Sequence, residues 1–404
     1  MAIPVSRLQL FFAFVAICLS PIYIFSSGNP QPTDMAWAMF VMSMLLLSPG
    51  HLVAQFKKDA FSFVLVCLGA WVVFVSIVNA IYYNDGGIFL PAIYYVYNIL
   101  VAVCLLTFLG RHGERYRKVL ITSIVCAVLV VLLYWSYDVM LSSRRAIGPF
   151  NNPNQLAYFS LLMAGMLILL TKVERLASTG NTIVLGVLTL YLMSAASLTA
   201  LAAFFMVALG LLLKLKTSFS RTTTRLLVIA LLLVPFFYAV LSTSFGNEIH
   251  RMLFGRVDLI ERKIENVGDS RGYNRILEYP EHVILGAGER GRDRFGYRQE
   301  IHSSFATMLF SYGVVGLMLF LAVLWLSFIK GRAPHFFILL APALYSLTHQ
   351  GLRFTLFWVF LVIVYWTSMQ LASKADARRR SATADRRGSL AHLDHSHASK
   401  IDHS

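Results

Sequence analysis

The chain has 404 residues, of which 57% are hydrophobic and only 14% charged, and its mean hydropathy is +0.67. Soluble domains carry about 25% charged residues, so a string of two or three soluble domains is excluded. The charges are gathered: 20 of the 55 Lys, Arg, Asp and Glu lie in 245–302 and 11 in 374–404, leaving 24 across the other 315 residues, the density of lipid-embedded segments.

A helix needs about 20 apolar residues to cross the hydrocarbon core. In chain order the apolar runs predict spans at 8–25, 34–49, 60–80, 88–110, 119–140, 155–171, 181–195, 197–215 and 225–244. After a polar stretch at 245–302, three more follow at 303–329, 334–348 and 353–372. The expected fold is an all-α polytopic membrane protein of about twelve transmembrane helices. Nine fall in 1–244 and three in 303–372, with a long outward loop between them. The first run has no small-residue cleavage site after it, so it reads as a span and not as a signal peptide. Cys18, Cys67, Cys104 and Cys126 all sit inside apolar runs without metal-ligand spacing and read as buried free thiols.

Orientation follows from the positive-inside rule. One alternating set of connections holds fifteen basic residues, from Arg7 through Lys57, Lys58, Arg111, Arg115, Arg117 and Lys118 to Lys330 and Arg332. The other set, the long loop aside, holds Arg144, Arg145 and Arg353. Both termini are therefore expected on the cytoplasmic side and the 245–302 loop outside. The net charge of +15 is not gathered on one solvated face, because the long loop has ten basic and ten acidic residues and nets zero. Nucleic acid is not an expected partner. The tail 373–404, Arg-rich and then His-rich with little to bury, is expected to be disordered.

Within the long loop, Ile249, Leu253, Val257, Ile260 and Ile264 recur at helical spacing and predict an amphipathic helix. Glycines and Pro280 divide the remainder into short elements. Ten basic residues facing outward have two readings. Either they pair with the loop's equal number of acids, the favoured reading for Arg290, Arg292 and Arg294, or they hold a polyanion. Arginine suits the second role because its planar fork binds phosphate bidentately. Arg144, Arg145 and Arg353, also on outward connections, and Arg275 in the loop are candidates for it. No Asp-x-Asp pair, phosphate-binding Gly-x-x-x-x-Gly-Lys loop or His-Glu-x-x-His occurs, so neither a metal nor a nucleotide cofactor is expected. The polyanion most available on that face is a lipid-linked pyrophosphate, whose departure arginines can assist by neutralising charge.

His302 stands where the polar loop turns into the span 303–329, beside Glu300. An imidazole titrates near neutrality and suits removal of a hydroxyl proton; alternatively it is a solvated histidine at a helix start. His349, next to Arg353 along the chain, either flanks an acceptor site or ties helices together. Asn154, with Asn151 and Asn152, reads as a site residue or as part of a turn and cap before the next span. The Tyr82-Tyr83 and Tyr94-Tyr95-Tyr97 clusters read as boundary anchors or as sugar platforms.

Three stretches carry a resemblance. Gly148-Pro149-Phe150-Asn151-Asn152-Pro153-Asn154-Gln155-Leu156-Ala157 is similar to a Gly-x-Phe-x-Asn-Pro-Asn-x-x-Ala segment. Ser270-Arg271-Gly272 with Ile284-Leu285-Gly286-Ala287-Gly288 resembles an arginine followed by Leu-Gly-x-Gly. His302-Ser303, running on through Leu309, Gly313 and Gly316, resembles a His-(Asn/Ser) span start. Together they resemble the bacterial O-antigen ligase and polymerase family over roughly 148–330. The resemblance implies a GT-C-like fold in the inner membrane with a periplasmic active site. It implies a donor glycan on undecaprenyl pyrophosphate and, for a ligase, a lipid A-core acceptor. It assigns pyrophosphate binding to Arg271 and acceptor activation to His302. The chain departs from the family near Ser197-Leu198-Thr199, where members commonly carry an arginine and this one has none. The rivals are an O-antigen polymerase, which uses a second lipid-linked glycan as acceptor, and a transporter of lipid or polysaccharide.

Overall fold

The computed structural model describes residues 5–26, 29–141, 146–176, 178–195, 197–215, 272–290, 292–296 and 300–401. Among them every regular element is helical and there is no strand. In chain order the helices are α1 (Val5–Leu19), α2 (Pro32–Leu47), α3 (Pro49–Lys58), α4 (Ala60–Tyr82), α5 (Leu90–Leu141), α6 (Pro153–Leu170), α7 (Val173–Leu176), α8 (Thr179–Ser194) and α9 (Leu198–Leu215). They continue with α10 (Asn274–Glu278), α11 (His282–Leu285), α12 (Ser304–Phe328), α13 (Ala333–Ser346) and α14 (Thr355–Ile401).

Five stretches of helix are long and apolar enough to cross a membrane: Ala60–Tyr82, Gly86–Tyr134, Pro153–Leu170, Ser304–Phe328 and Thr355–Arg378. The pair α2 and α3, bent by 92°, makes a sixth if counted as one span. The expected count of twelve differs from this for three reasons. Four of the predicted spans form shorter apolar helices; α1, for example, stops just before Pro21, as the steric restriction ahead of a proline requires. Spans 88–110 and 119–140 run together in α5, which doubles back near His112: Asn98 bonds Leu352 O at one end of the bundle, Arg117 bonds Leu170 O at the other, and Val131 returns to Gly148. The predicted span 225–244 and the amphipathic helix at 249–264 lie outside the described residues.

The bend between α2 and α3 falls at Ser48-Pro49, where proline restricts the residue before it and is well placed at the first turn of the next helix. The tail differs from expectation as well. Instead of ending near residue 372, α14 continues to Ile401. Ala375, Ala377, Ala382 and Ala384 and the arginines 378–380 are strong helix formers, and a helix already nucleated by a span is prolonged without new burial.

α6 occupies the centre of the bundle. Leu156 to Leu170 is buried at every position, the pattern of a helix apolar all round. The first part of α14 is its equally buried neighbour, with Leu356 to Trp366 inaccessible. Gly165 lets the Phe360 ring and Ile338 press onto α6, and Gly210 lets α9 approach Ile338 of α13. Small residues at these crossings permit the close approach that packs apolar helices.

Candidate functional site

The site is built around a break in α12. Gly313 has φ 70° and ψ −177°, which interrupts the helix. The three carbonyls before the break are taken up from outside. Phe310 O accepts from the Ala287 N–H at 2.9 Å, Ser311 O from the Gly288 N–H at 2.9 Å, and Tyr312 O from the Trp71 indole N–H at 2.7 Å. Buried carbonyls demand such partners. The Leu-Gly-x-Gly motif is thus a strap laid against the broken helix. A Cβ at Gly286 would overlap the Ser311 carbonyl, and one at Gly313 would overlap that of Ile284. Asn79 of α4 holds the strap from the other side through its amide N–H to Gly286 O, 3.2 Å.

The strap delivers Glu289 to the interior, where it is 6% exposed. Its Oε1 accepts from the Gln350 side chain at 2.7 Å and from the Arg353 guanidinium, and its Oε2 accepts from the Tyr312 hydroxyl at 3.1 Å. Arg353 also donates to Glu300 at 3.2 Å, so one guanidinium joins two carboxylates. Burial by itself would lower the Arg353 pKa; the two acids outweigh it and raise that pKa above its ordinary value. Gln350 and Arg353 come from the connection between α13 and α14. This connection dips into the bundle, with Gly351 and Leu352 buried and the Leu352 carbonyl bonded by the Trp358 indole at 2.7 Å.

Arg275, Glu289, Arg290, Glu300, Thr307 and Gln350 line a cleft beside this cluster, enclosing about 30 Å³. That is room for a water or two. Arg275 is buried at 4% exposure, and Arg290 is exposed. Arg294 acts structurally, donating to Ala287 O at 2.8 Å and lying 4.0 Å from the centre of the Tyr83 ring. His282 packs edge-on to Phe295 and Phe310, at 5.4 and 5.8 Å between ring centres. That burial lowers its pKa, partly offset by Glu281.

His302 is exposed, and its Nδ1 is 2.6 Å from the Glu300 carbonyl oxygen. The carbonyl can only accept, so Nδ1 carries the proton, and in the neutral imidazole Nε2 holds the lone pair a general base needs. Ser303 is the N-cap of α12, its hydroxyl accepting from Ala306 N at 3.2 Å, which fixes the histidine one residue outside the helix. Arg271 lies outside the described residues, as do Arg144 and Arg145. The residue after Arg271 is described: a side chain at Gly272 would lie 3.5 Å from Ile301 Cα.

The remaining candidates separate. His349 stacks on Tyr345 with ring centres 4.3 Å apart, and its Nδ1 is 2.9 Å from the Thr348 hydroxyl. Tyr345 in turn stacks on Tyr158 and donates to Asn154 O at 2.8 Å. His349 and Asn154 therefore belong to a tie between α6 and α13 and are not among the cleft's lining. Asn152 caps α6 through its Oδ1, and Asn151 donates to Phe25 O. Thr199, in the segment where the resembled family carries an arginine, is bonded to Thr348 at 3.1 Å, so the connection carrying Arg353 adjoins it.

Glu289, Gln350 and the cleft position of Arg290 were not among the sequence candidates. The one sequence signal for Glu289 was its place straight after Gly-x-Gly, where glycines let a strap approach a helix and so fix the position of the next residue. Carboxylates and guanidinium groups line the cleft, and the exposed His302 follows its lining residues Glu300 and Ile301 directly in the chain, a set suited to proton removal beside a stabilised anion. No protein-family model matches the chain, and no curated protein does so.

Proposed function

We propose that the chain is a membrane glycosyltransferase of the O-antigen ligase type. In this reading it is a twelve-span, GT-C-like protein of the bacterial inner membrane, with both termini cytoplasmic and the cleft facing the periplasm. It transfers a glycan from undecaprenyl pyrophosphate to a sugar hydroxyl of lipid A-core. The observation that carries the reading is the meeting of two motif segments on one peptide: Gly272 packs on Glu300–Ile301, and His302 bonds the Glu300 carbonyl. The two motif segments, about thirty residues apart in sequence, run side by side there, which supports a substrate common to both.

The chemistry is a single displacement. The acceptor hydroxyl gives its proton to His302 Nε2 as its oxygen bonds to the anomeric carbon. The bond from that carbon to the pyrophosphate oxygen breaks, and the electron pair leaves with the pyrophosphate. Guanidinium groups neutralise the departing charge, so no separate acid is needed. Attack opposite the leaving group inverts the anomeric centre.

The test is transfer by the purified full chain, supplied with lipid-linked glycan and core lipid in the presence of chelator. The expected results are an inverted glycosidic product from the wild type and none from His302→Ala or Arg271→Ala, both still inserted and folded. Wild-type transfer by His302→Ala removes the mechanism. A product joined to a second lipid-linked glycan, and never to core lipid, identifies a polymerase. Movement of lipid-linked glycan between leaflets with no covalent product identifies a transporter.

A further inference from the structure

We propose that Arg290 is a further residue that binds a diphosphate, at the mouth of the cleft. The inference deepens the transferase reading and rests on it for the identity of the anion. The described arginines about the cleft differ in what they are free to do. Arg353 is held by Glu289 and Glu300. Arg275 is buried and has an interaction of its own. Arg294 is turned back onto the carbonyls of Ala287 and Arg290. Arg290 lines the cleft, is exposed, and enters no ion pair among the described residues.

Its backbone singles it out as well. Arg290 has φ 69°, and only Asn84 shares a positive φ among described residues other than glycine. A glycine or asparagine would suit that conformation better. The turn through Gly288, Glu289 and Arg290 sends the glutamate inward to Arg353 and leaves the arginine at the rim. An uncommon backbone conformation kept at an arginine is a pointer to a role for its side chain. Among the described residues about the cleft, Arg275, Arg290, Arg294 and Arg353 outnumber Glu289 and Glu300, so positive charge is in excess there. A planar fork at a cleft too small to swallow a diphosphate can grip the anion from outside.

The test is calorimetric titration of the detergent-solubilised full chain with inorganic pyrophosphate, comparing wild type with Arg290→Gly. Glycine accepts the left-handed backbone, so the variant keeps its fold while losing the guanidinium. Loss of one charge-assisted fork should weaken binding at least about tenfold. Equal binding by Arg290→Gly, or no binding by the wild type, overturns the inference. So does loss of the pyrophosphate heat signal once the protein is saturated with phosphatidylglycerol, which would make the site one for a phospholipid headgroup. If pyrophosphate binding depends on Arg290 and no glycan is transferred, the inference stands and the transferase reading falls.

Discussion

Arg353 was legible in the sequence as an isolated outward cation, and Glu300 as a neighbour of His302. That they share a clamp with Glu289 was not legible, because Glu289 is one of ten acids in 245–302 and no spacing marks it. What distinguishes it is burial, which depends on a strap folding onto a helix far along the chain. Glu289 has three described donors on its two oxygens, from Gln350, Arg353 and Tyr312, so it positions Arg353. Removing one partner of a largely buried ion pair leaves the other charge uncompensated, at a cost of about 3 kcal/mol. Here the side chains of Arg353 and Glu289 are 26% and 7% exposed, and Glu300 remains to share the load. Glu289→Ala should therefore lower the unfolding midpoint in detergent clearly, and Glu289→Gln, which still accepts from Gln350 and Arg353, should lower it by less. Equal midpoints for wild type and both variants would show that the cluster holds nothing in place.

At the scale of elements, the strap and the broken helix account for glycines whose purpose the sequence left open. Gly286, Gly288 and Gly313 appeared as motif letters and possible breakers; the structure gives all three positive φ and sets the first and last against each other's backbone. Apolar periodicity recognised α12 and could not see its break, because hydropathy is blind to a helix whose missing bonds are replaced from outside. The same limit merged or shortened spans elsewhere: α5 carries two predicted spans with Arg111 to Lys118 at its middle. A methyl group at Gly286 must displace backbone and adopt a disfavoured φ together, costing at least about 2 kcal/mol. Gly286→Ala and Gly313→Ala should thus each unfold at lower temperature. Gly186→Ala, where a Cβ meets nothing within 4 Å, should match the wild type or exceed it slightly, since alanine favours helix. If all three variants behave alike, the strap does not depend on that contact.

For the whole molecule, composition announced a membrane protein and the helices agree with it. The basic residues add a direction that packing cannot supply, since the same bundle inserts either way up and lysine and arginine near span ends decide between the two. The described structure gathers several of those residues at one end. Lys214 is bonded to the carbonyls of Leu169 and Thr171, and Arg117 to that of Leu170, all at the C-terminus of α6, where cations also complement the helix dipole. The cleft lies beyond the other ends of these helices, beside the first turn of α12 and the α13–α14 connection. The proposed orientation then makes a joint prediction for single cysteines introduced into a chain whose four native cysteines have been replaced. Glu281→Cys, on an exposed residue of the strap region, should react with a membrane-impermeant thiol reagent applied to intact cells. Arg115→Cys and Lys172→Cys, exposed at the opposite end, should react only after the membrane is opened. Labelling in the reverse order would put the cleft in the cytoplasm, where a periplasmic glycan donor never arrives, and the proposed reaction would lose its substrate.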